Sequence, residues 1–413
     1  MRLVVHATTR SDSCAAEVVL GLGGTVDLEV GWDADTLSML AAEYCLTPAD
    51  LVAPRALKTE RDVLCAVLSH VPEGTGGEYF VDEPDALGSF TDRFASVRTL
   101  GGTPVRAAIA MDRIGMPSTV HLVSVDDTVR RLMPPTVEII SSADHDSFDP
   151  HVIVQFPAGA TVRVGSHDFV TPHPNRVILS NDLPNQLMVI SEELGDAVEK
   201  ARVIMVSGFN SMRNVELLER RLSDVTRHLA RRNPSAIAWY EHSGFHVSGF
   251  SDRVRMALGQ TVDIWSCNED ELAVHLGHRI DLLDPKAVVE AVRRLHADVG
   301  STTVVVHSRH WALAVGGDSA VQLAALDGGI TSASARYAFG DHVDRSRLDA
   351  LAQWPRQPDA VRFVEELASI AGPHISARPA FLIPVDSPTT IGLGDTFVGG
   401  ALAALRELRS GEA

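Results

Sequence analysis

Thr389-Thr390-Ile391-Gly392-Leu393-Gly394-Asp395-Thr396 follows an apolar run, Phe381 to Val385, and opens a stretch of helical period, Thr396 to Leu408. In order, these segments read as strand, glycine turn and helix. Gly392 and Gly394 carry no β-carbon to keep an anion away from the backbone amides. The start of a helix adds partial positive charge there, and Asp395 sets a carboxylate beside it. Such a turn suits phosphoryl transfer to a hydroxyl: amides stabilise the group in flight while the carboxylate accepts the proton. A glycine turn with Asp395 as a simple helix N-cap fits the same residues.

Further short apolar runs at Val18 to Leu22, Val120 to Val123, Val203 to Val206, Ala236 to Tyr240, Val262 to Trp265 and Thr303 to His307 read as buried strands. Helical-period segments at Pro104 to Ile114, Val215 to Ala230, Pro285 to Ala297 and Ala360 to Ile370 alternate with them. This alternation predicts βαβ units around a mostly parallel sheet, a doubly wound α/β core. Two stretches break the rhythm, one rich in Gly, Pro and acidic residues, the other in β-formers punctuated by Gly, Pro and Asn. They predict a smaller, discontinuous, β-rich lid made of residues 31–97 and 153–182. The lid is inserted in a nucleotide-binding core of residues 1–30, 98–152 and 183–413, and meets it across a cleft. A chain of 413 residues is long enough for two or three such units.

The formal charge of −18, from 54 acidic and 36 basic residues, disfavours a polyanionic partner such as nucleic acid. The densest basic stretch, Arg220 to Arg232, is interrupted at helical spacing by Asp224 and flanked by Glu216 and Glu219, as on a solvated helix face. Cys14, Cys45, Cys65 and Cys267 form no C-x-x-C pair or zinc spacing and read as buried thiols of a reducing, cytoplasmic compartment. Arg10 and Asp12 break the amino-terminal apolar pattern, and no apolar run approaches ~20 residues, so neither secretion nor a membrane span is expected.

Asn268-Glu269-Asp270-Glu271 has two readings: carboxylates that bind Mg²⁺ through its retained waters, or a capping box in which Asn and Glu stand three residues apart. Gly101-Gly102-Thr103-Pro104 leads into an apolar helix and would let a ligand approach the backbone. Asp27 ends the first core strand, where carboxylates in open α/β sheets face the ligand crevice. His307 and His310 span a strand end and read as making local polar contacts.

Taken in order, these motifs resemble the ADP-dependent sugar kinases, the glucokinases and phosphofructokinases of the ribokinase superfamily. The resemblance runs through Gly24 to Asp27, Gly74 to Phe80, Gly101-Gly102, Asn175 to Asp182, Val206 to Phe209, Asn268 to Leu272, Val305 to Ser308 and Thr390 to Thr396. It implies a ribokinase-like core with a lid, ADP as donor, Mg²⁺, and a sugar hydroxyl as acceptor. It further implies Asp395 as catalytic base, Gly392 and Gly394 as anion hole, and Arg176 as a lid arginine reaching phosphates. Glu241, Asn268 and Glu271, with Asp395, would serve the metal, and His307, Ser308 and Ile391 the nucleotide. Asp27, Glu78, Gly101 and Gly102 would serve the sugar. Glu78 in a glycine-rich lid turn points to a neutral hexose, glucose at its 6-hydroxyl, whereas Arg163 or Arg106 placed for a 6-phosphate would favour a phosphofructokinase. An ATP-using sugar kinase and a binding protein without turnover also fit the resemblance, and a monomer is expected. Two departures stand out: Trp239 occupies the histidine position of the family's H-x-E motif, and Thr103 replaces the asparagine after the glycine pair.

Overall fold

The structure is a computed structural model that describes residues 17–385, 389 and 391–411. Cys14, Arg10, Asp12 and Thr390 therefore lie outside the described residues.

A nine-stranded sheet forms the larger body. In spatial order its strands are Ile375–Pro379, Trp311–Val315, Thr303–His307, Ile264–Asn268, Ile237–Glu241, Val203–Val206, Val18–Leu20, Ser118–Leu122 and Val137–Ser141. From Thr303–His307 to Val137–Ser141 every pairing is parallel, and the other two strands add antiparallel. Successive residues point to opposite faces, and both faces are dry. Ile204, Ala238, Tyr240, Val304 and Val306 enter one apolar core, while Val203, Met205, Ile237, Trp239 and Val305 enter the other. A parallel sheet covered by helices on both sides explains why these strands read as continuous apolar runs rather than alternating ones.

A second, five-stranded sheet runs Gly77–Phe80, Asn175–Ser180, His151–Phe156, Thr25–Val30, Ser96–Gly101. Here the strands alternate. Leu28, Val30, Val152, Val154, Val177 and Leu179 face a core closed by the helices Ala34–Glu43, Glu60–Leu68 and Pro84–Thr91. Asp27, His151, Ile153, Arg176, Ile178 and Glu78 line the cleft on the opposite face. Residues 31–97 thus supply three helices as well as strand, more helix than a β-rich unit implies.

The strands also move the boundaries. Thr25–Val30 and Ser96–Gly101 pair with each other in the smaller sheet, so the chain changes sheet at Gly23-Gly24 and Gly101-Gly102 rather than at 30 and 98. The glycines are what permit this: Gly102 sits at φ 87°, and a β-carbon on it would lie 3.0 Å from the Cα of Gly24. His151–Phe156 likewise belongs wholly to the smaller sheet.

The expected strand at Phe381 to Val385 is not one. The antiparallel edge strand lies earlier, at Ile375–Pro379, and Phe381 makes only an isolated bridge to Arg356. Pro384 has no N–H for a ladder, and the Phe381 ring is instead covered by the Arg356 guanidinium at 3.4 Å. Of the cysteines, Cys65 and Cys267 are buried, but Cys45 is exposed just past the end of its helix. The arginine-rich helix face carries solvated ion pairs, such as Arg227 with Glu192 and Arg231 with Asp196. Among the described residues no helix is long and apolar enough to cross a membrane.

Candidate active site

The cleft is built where the parallel strands end. Gly23-Gly24, Ser207-Gly208, Glu241, Asn268 and His307, each at or just past the carboxyl end of a central strand, border one cavity. The chain passes from Val18–Leu20 to one side of the sheet and then to the other, so the cavity lies at the switch point where such sheets bind ligands. It encloses about 290 Å³ between the larger sheet and the open face of the smaller one. A second cavity of about 740 Å³ opens beside it, lined on its apolar side by Ile330, Tyr337, Leu382 and Phe397. The two share a wall of six residues: Arg176, Asn268, His307, Gly392, Gly394 and Asp395.

The last helix, Leu393–Ser410, starts in that wall. Gly392 is its N-cap in the left-handed region, φ 69°, and a β-carbon there would press on the Arg106 side chain at 2.9 Å. Asp395 is therefore not the N-cap but the third helical residue. Its Oδ1 accepts a 2.7 Å hydrogen bond from the Thr103 hydroxyl, and its Oδ2 lies 4.0 Å from Arg106 Nε. Burial pushes the Asp395 carboxyl up, against the opposing pull of Arg106 and Thr103. A carboxylate raised in this way gains proton affinity while keeping a cation at hand.

Arg106 is itself buried and bonds Asp27 Oδ2 at 2.7 Å, while Thr25 donates to Asp27 Oδ1 at 2.8 Å. Asp27 thus reaches the cavity with each oxygen already holding one donor. Glu78 is half-exposed at the opposite wall, 3.8 Å from His246.

On the floor, Trp239 Nε1 donates to Glu241 Oε2 at 3.1 Å, and His307 Nε2 lies 3.0 Å from Glu241 Oε1. The indole thus orients this carboxylate from the position where the motif has histidine. Burial would lower the His307 pKa, but the bond to Glu241 outweighs it and holds the imidazole above its ordinary value. Glu271 is raised to about 8, first by burial and then by Glu241. The capping box is present: Asn268 Oδ1 accepts from the amides of Asp270 and Glu271, and Glu271 Oε2 accepts from the Asn268 amide. Among the described residues no three His, Cys, Asp or Glu side chains converge as a metal cluster. The Glu241–Glu271 pair, a buried and a partly buried acid in mutual repulsion, does fit a hydrated divalent cation, which needs few direct protein ligands. Glu241 and Glu271 would hold it, and it would supply positive charge for phosphate oxygens.

The family model for the ADP-specific phosphofructokinase/glucokinase conserved region matches residues 16–404. The chain belongs to this family. Among curated proteins none matches it. Among solved structures it is similar to a phosphofructokinase from Pyrococcus horikoshii OT3 with AMP: 16% identity, TM-score 0.76, covering 96% of this chain and 99% of that one. A hypothetical ADP-dependent phosphofructokinase from the same organism gives 16% identity, TM-score 0.75 and the same coverage. An ADP-dependent kinase in complex with fructose-6-phosphate and ADPβS gives 15% identity, TM-score 0.72, with 95% and 94% covered. At such identities the structural likeness is one of fold, and it is the ribokinase-like fold of these sugar kinases.

In this family member most of the residues singled out in the sequence meet at the cleft. Asp27, Glu78, Gly102, Arg176, Glu241, Asn268, Glu271, His307, Gly392, Gly394 and Asp395 border the smaller cavity, and Ser308 borders the larger. Two stand elsewhere than expected. Gly101 borders neither cavity, because the Asp27 carboxylate lies against its Cα where a β-carbon would be. Ile391, expected at the nucleotide, lines the smaller cavity: the left-handed turn at Gly392 separates it from Leu393, which lines the larger. Of residues the sequence reading passed over, His151 lines the smaller cavity and Tyr337, Gln357 and Phe397 the larger. Arg336 holds the Ile391 carbonyl at 2.7 Å. Its signal, an arginine inside an otherwise small-residue helix, is a weak one.

Proposed function

We propose that the protein transfers the terminal phosphoryl group of ADP to a sugar hydroxyl, most favourably the 6-hydroxyl of glucose, leaving AMP. The observation that carries this reading is the wall shared by the two cavities, where Gly392, Gly394 and Asp395 stand between them. A donor in the larger cavity and an acceptor in the smaller would meet at these residues. Asp395 takes the proton of the attacking hydroxyl, the amides of the glycine turn and Arg176 face the transferring group, and His307 and Ser308 border the donor. Closure of the smaller sheet over the cleft would exclude the water that competes with the hydroxyl. Glu241 and Glu271 would hold Mg²⁺, and the ion would supply positive charge for the phosphates.

A neutral acceptor is favoured by the charges around the smaller cavity. Glu78 borders it with no hydrogen-bonded cation, and like charge repels a sugar phosphate. Neither arginine considered for a 6-phosphate is free: Arg163 pairs with Asp168 on the exposed hairpin, and Arg106 is tied to Asp27. A phosphofructokinase is the second reading, and what favours it is that both similar structures from Pyrococcus horikoshii OT3 are described as phosphofructokinases.

Asp395→Asn tests the assignment of the base. The amide keeps the shape but takes a proton poorly, so turnover should fall by about 10²–10⁴-fold while ADP affinity stays within roughly tenfold. A folded Asp395→Asn protein with near-normal turnover would overturn the assignment.

A further inference from the structure

Thr103 and Arg106 stand three residues apart at the start of the helix Thr103–Asp112, a spacing that puts both on one helix face. Both reach Asp395, at opposite oxygens: Thr103 Oγ1 donates to Oδ1 at 2.7 Å, and Arg106 Nε lies 4.0 Å from Oδ2. The partners of the first bond are 292 residues apart in sequence. The helix that carries the pair is fixed from below. Gly102 is its N-cap at φ 87°, Gly24 packs against Val105, and the Asp27 carboxylate covers Gly101 and binds Arg106.

We infer that Thr103 is a positioning residue for the phosphoryl transfer, its hydroxyl holding the Asp395 carboxylate so that Oδ2 is turned to the acceptor hydroxyl. The inference rests on the reading of Asp395 as the base and adds the residue that aims it. A carboxylate on a single χ2 torsion has a broad rotational well, and an unrestrained base spends part of its time misdirected. One charge-assisted hydrogen bond at 2.7 Å removes that freedom and still leaves Oδ2 and the second lone pair of Oδ1 for the proton. Thr103 also suits the task sterically. Its β-branched side chain is stiff at χ1, so the hydroxyl itself is well placed.

A structural role alone predicts something different. Thr103 is the first helical residue, so its own amide is one the helix leaves unpaired, and its side chain bonds across the cleft wall rather than to its own turn. Loss of its hydroxyl should therefore spare the helix and disturb the base.

The experiment compares Thr103→Val, which keeps the shape without the hydroxyl, with Thr103→Ser, which keeps the hydroxyl, using ADP, Mg²⁺ and glucose. Thr103→Val should lower kcat by roughly 10- to 100-fold with both KM values within about twofold, the pattern of misaligned chemistry, and Thr103→Ser should stay within about threefold of wild type. A crystal structure of Thr103→Val should show the Asp395 carboxylate rotated from its wild-type orientation. Wild-type kcat in Thr103→Val, an equal loss in Thr103→Ser, or a loss confined to the sugar KM would each overturn the role. If the wild type transfers no phosphoryl group, the reading of the reaction fails. The positioning claim is then decided by the carboxylate, and an unrotated Asp395 in Thr103→Val overturns it.

Discussion

Glu78 shows how much of the acceptor's identity rests on one side chain. It is half-exposed on the edge strand of the smaller sheet and borders the acceptor cavity, with His246 3.8 Å away as its nearest ion-pair partner. A carboxylate so placed would accept hydrogen bonds from the ring hydroxyls of a bound sugar. Glu78→Ala should raise the KM for glucose by roughly tenfold, the loss of one charge-assisted hydrogen bond, and leave the KM for ADP nearly unchanged. Steady-state kinetics on the variant check this, and an unaltered sugar KM returns Glu78 to a solvated edge-strand role. At this scale legibility followed distance along the chain. Gly392, Gly394 and Asp395 can be read from the sequence as a candidate anion-binding turn because their chemistry is contiguous. The bond from Thr103 to Asp395 cannot, because its partners adjoin only after the sheet has formed. Trp239 departs from the family's H-x-E motif, yet its indole N–H reaches Glu241. A motif read as residue types had hidden that a different donor can serve the same acceptor.

At the scale of elements, the turn before the last helix is held by the helix Ser319–Phe339. Arg336 on that helix donates to the Ile391 carbonyl and to Asp341, which also receives Arg113. Burial would raise the Asp341 carboxyl, but the two arginine hydrogen bonds outweigh it and hold it at about 2. A depressed carboxylate adds stability above its unfolded pKa, near 4, and loses it as pH falls through the folded value. Asp341→Asn should therefore lower Tm by about 1–2 °C at pH 6, a small effect because the side chain is 64% exposed. The gap should close between about pH 4 and pH 2. Melting curves across that range check it, and a gap as wide at pH 2 as at pH 6 contradicts the ion-pair account. The helix Ser319–Phe339 itself was not legible as one. Ala, Gly and Ser surround it on all sides, so no apolar stripe stands out, and its Gly328 meets Gly400 of the last helix where a β-carbon would strike the Gly400 carbonyl. Close backbone packing replaces the periodic pattern that reveals the amphipathic Val215–Leu229. The misplaced strand at 381–385 has the opposite cause: an apolar run that packs under Arg356 without pairing.

Across the whole molecule, the six inner parallel strands were plain in the sequence because each is buried on both faces, whereas the edge strand Val137–Ser141, with Glu138 exposed, was not. The discontinuous second body was plain because its composition breaks that pattern. Its edges were less so, since Thr25–Val30 carries Val26, Leu28 and Val30 on one face as a core strand would, and only its pairing with Ser96–Gly101 shows which sheet it joins. Two cavities share a wall at Gly392 to Asp395, and the proposed reaction would pass a group from one to the other across it. The most direct test is to incubate the wild-type protein with Mg²⁺, either ADP or ATP, and either glucose or fructose 6-phosphate, and to follow nucleotide and sugar products by mass. The account predicts AMP and hexose phosphate in equal amounts from ADP and glucose, faster than from any other pairing. Fructose 6-phosphate consumed faster than glucose would replace the acceptor, and no phosphorylated sugar from ADP with either would contradict the reaction itself.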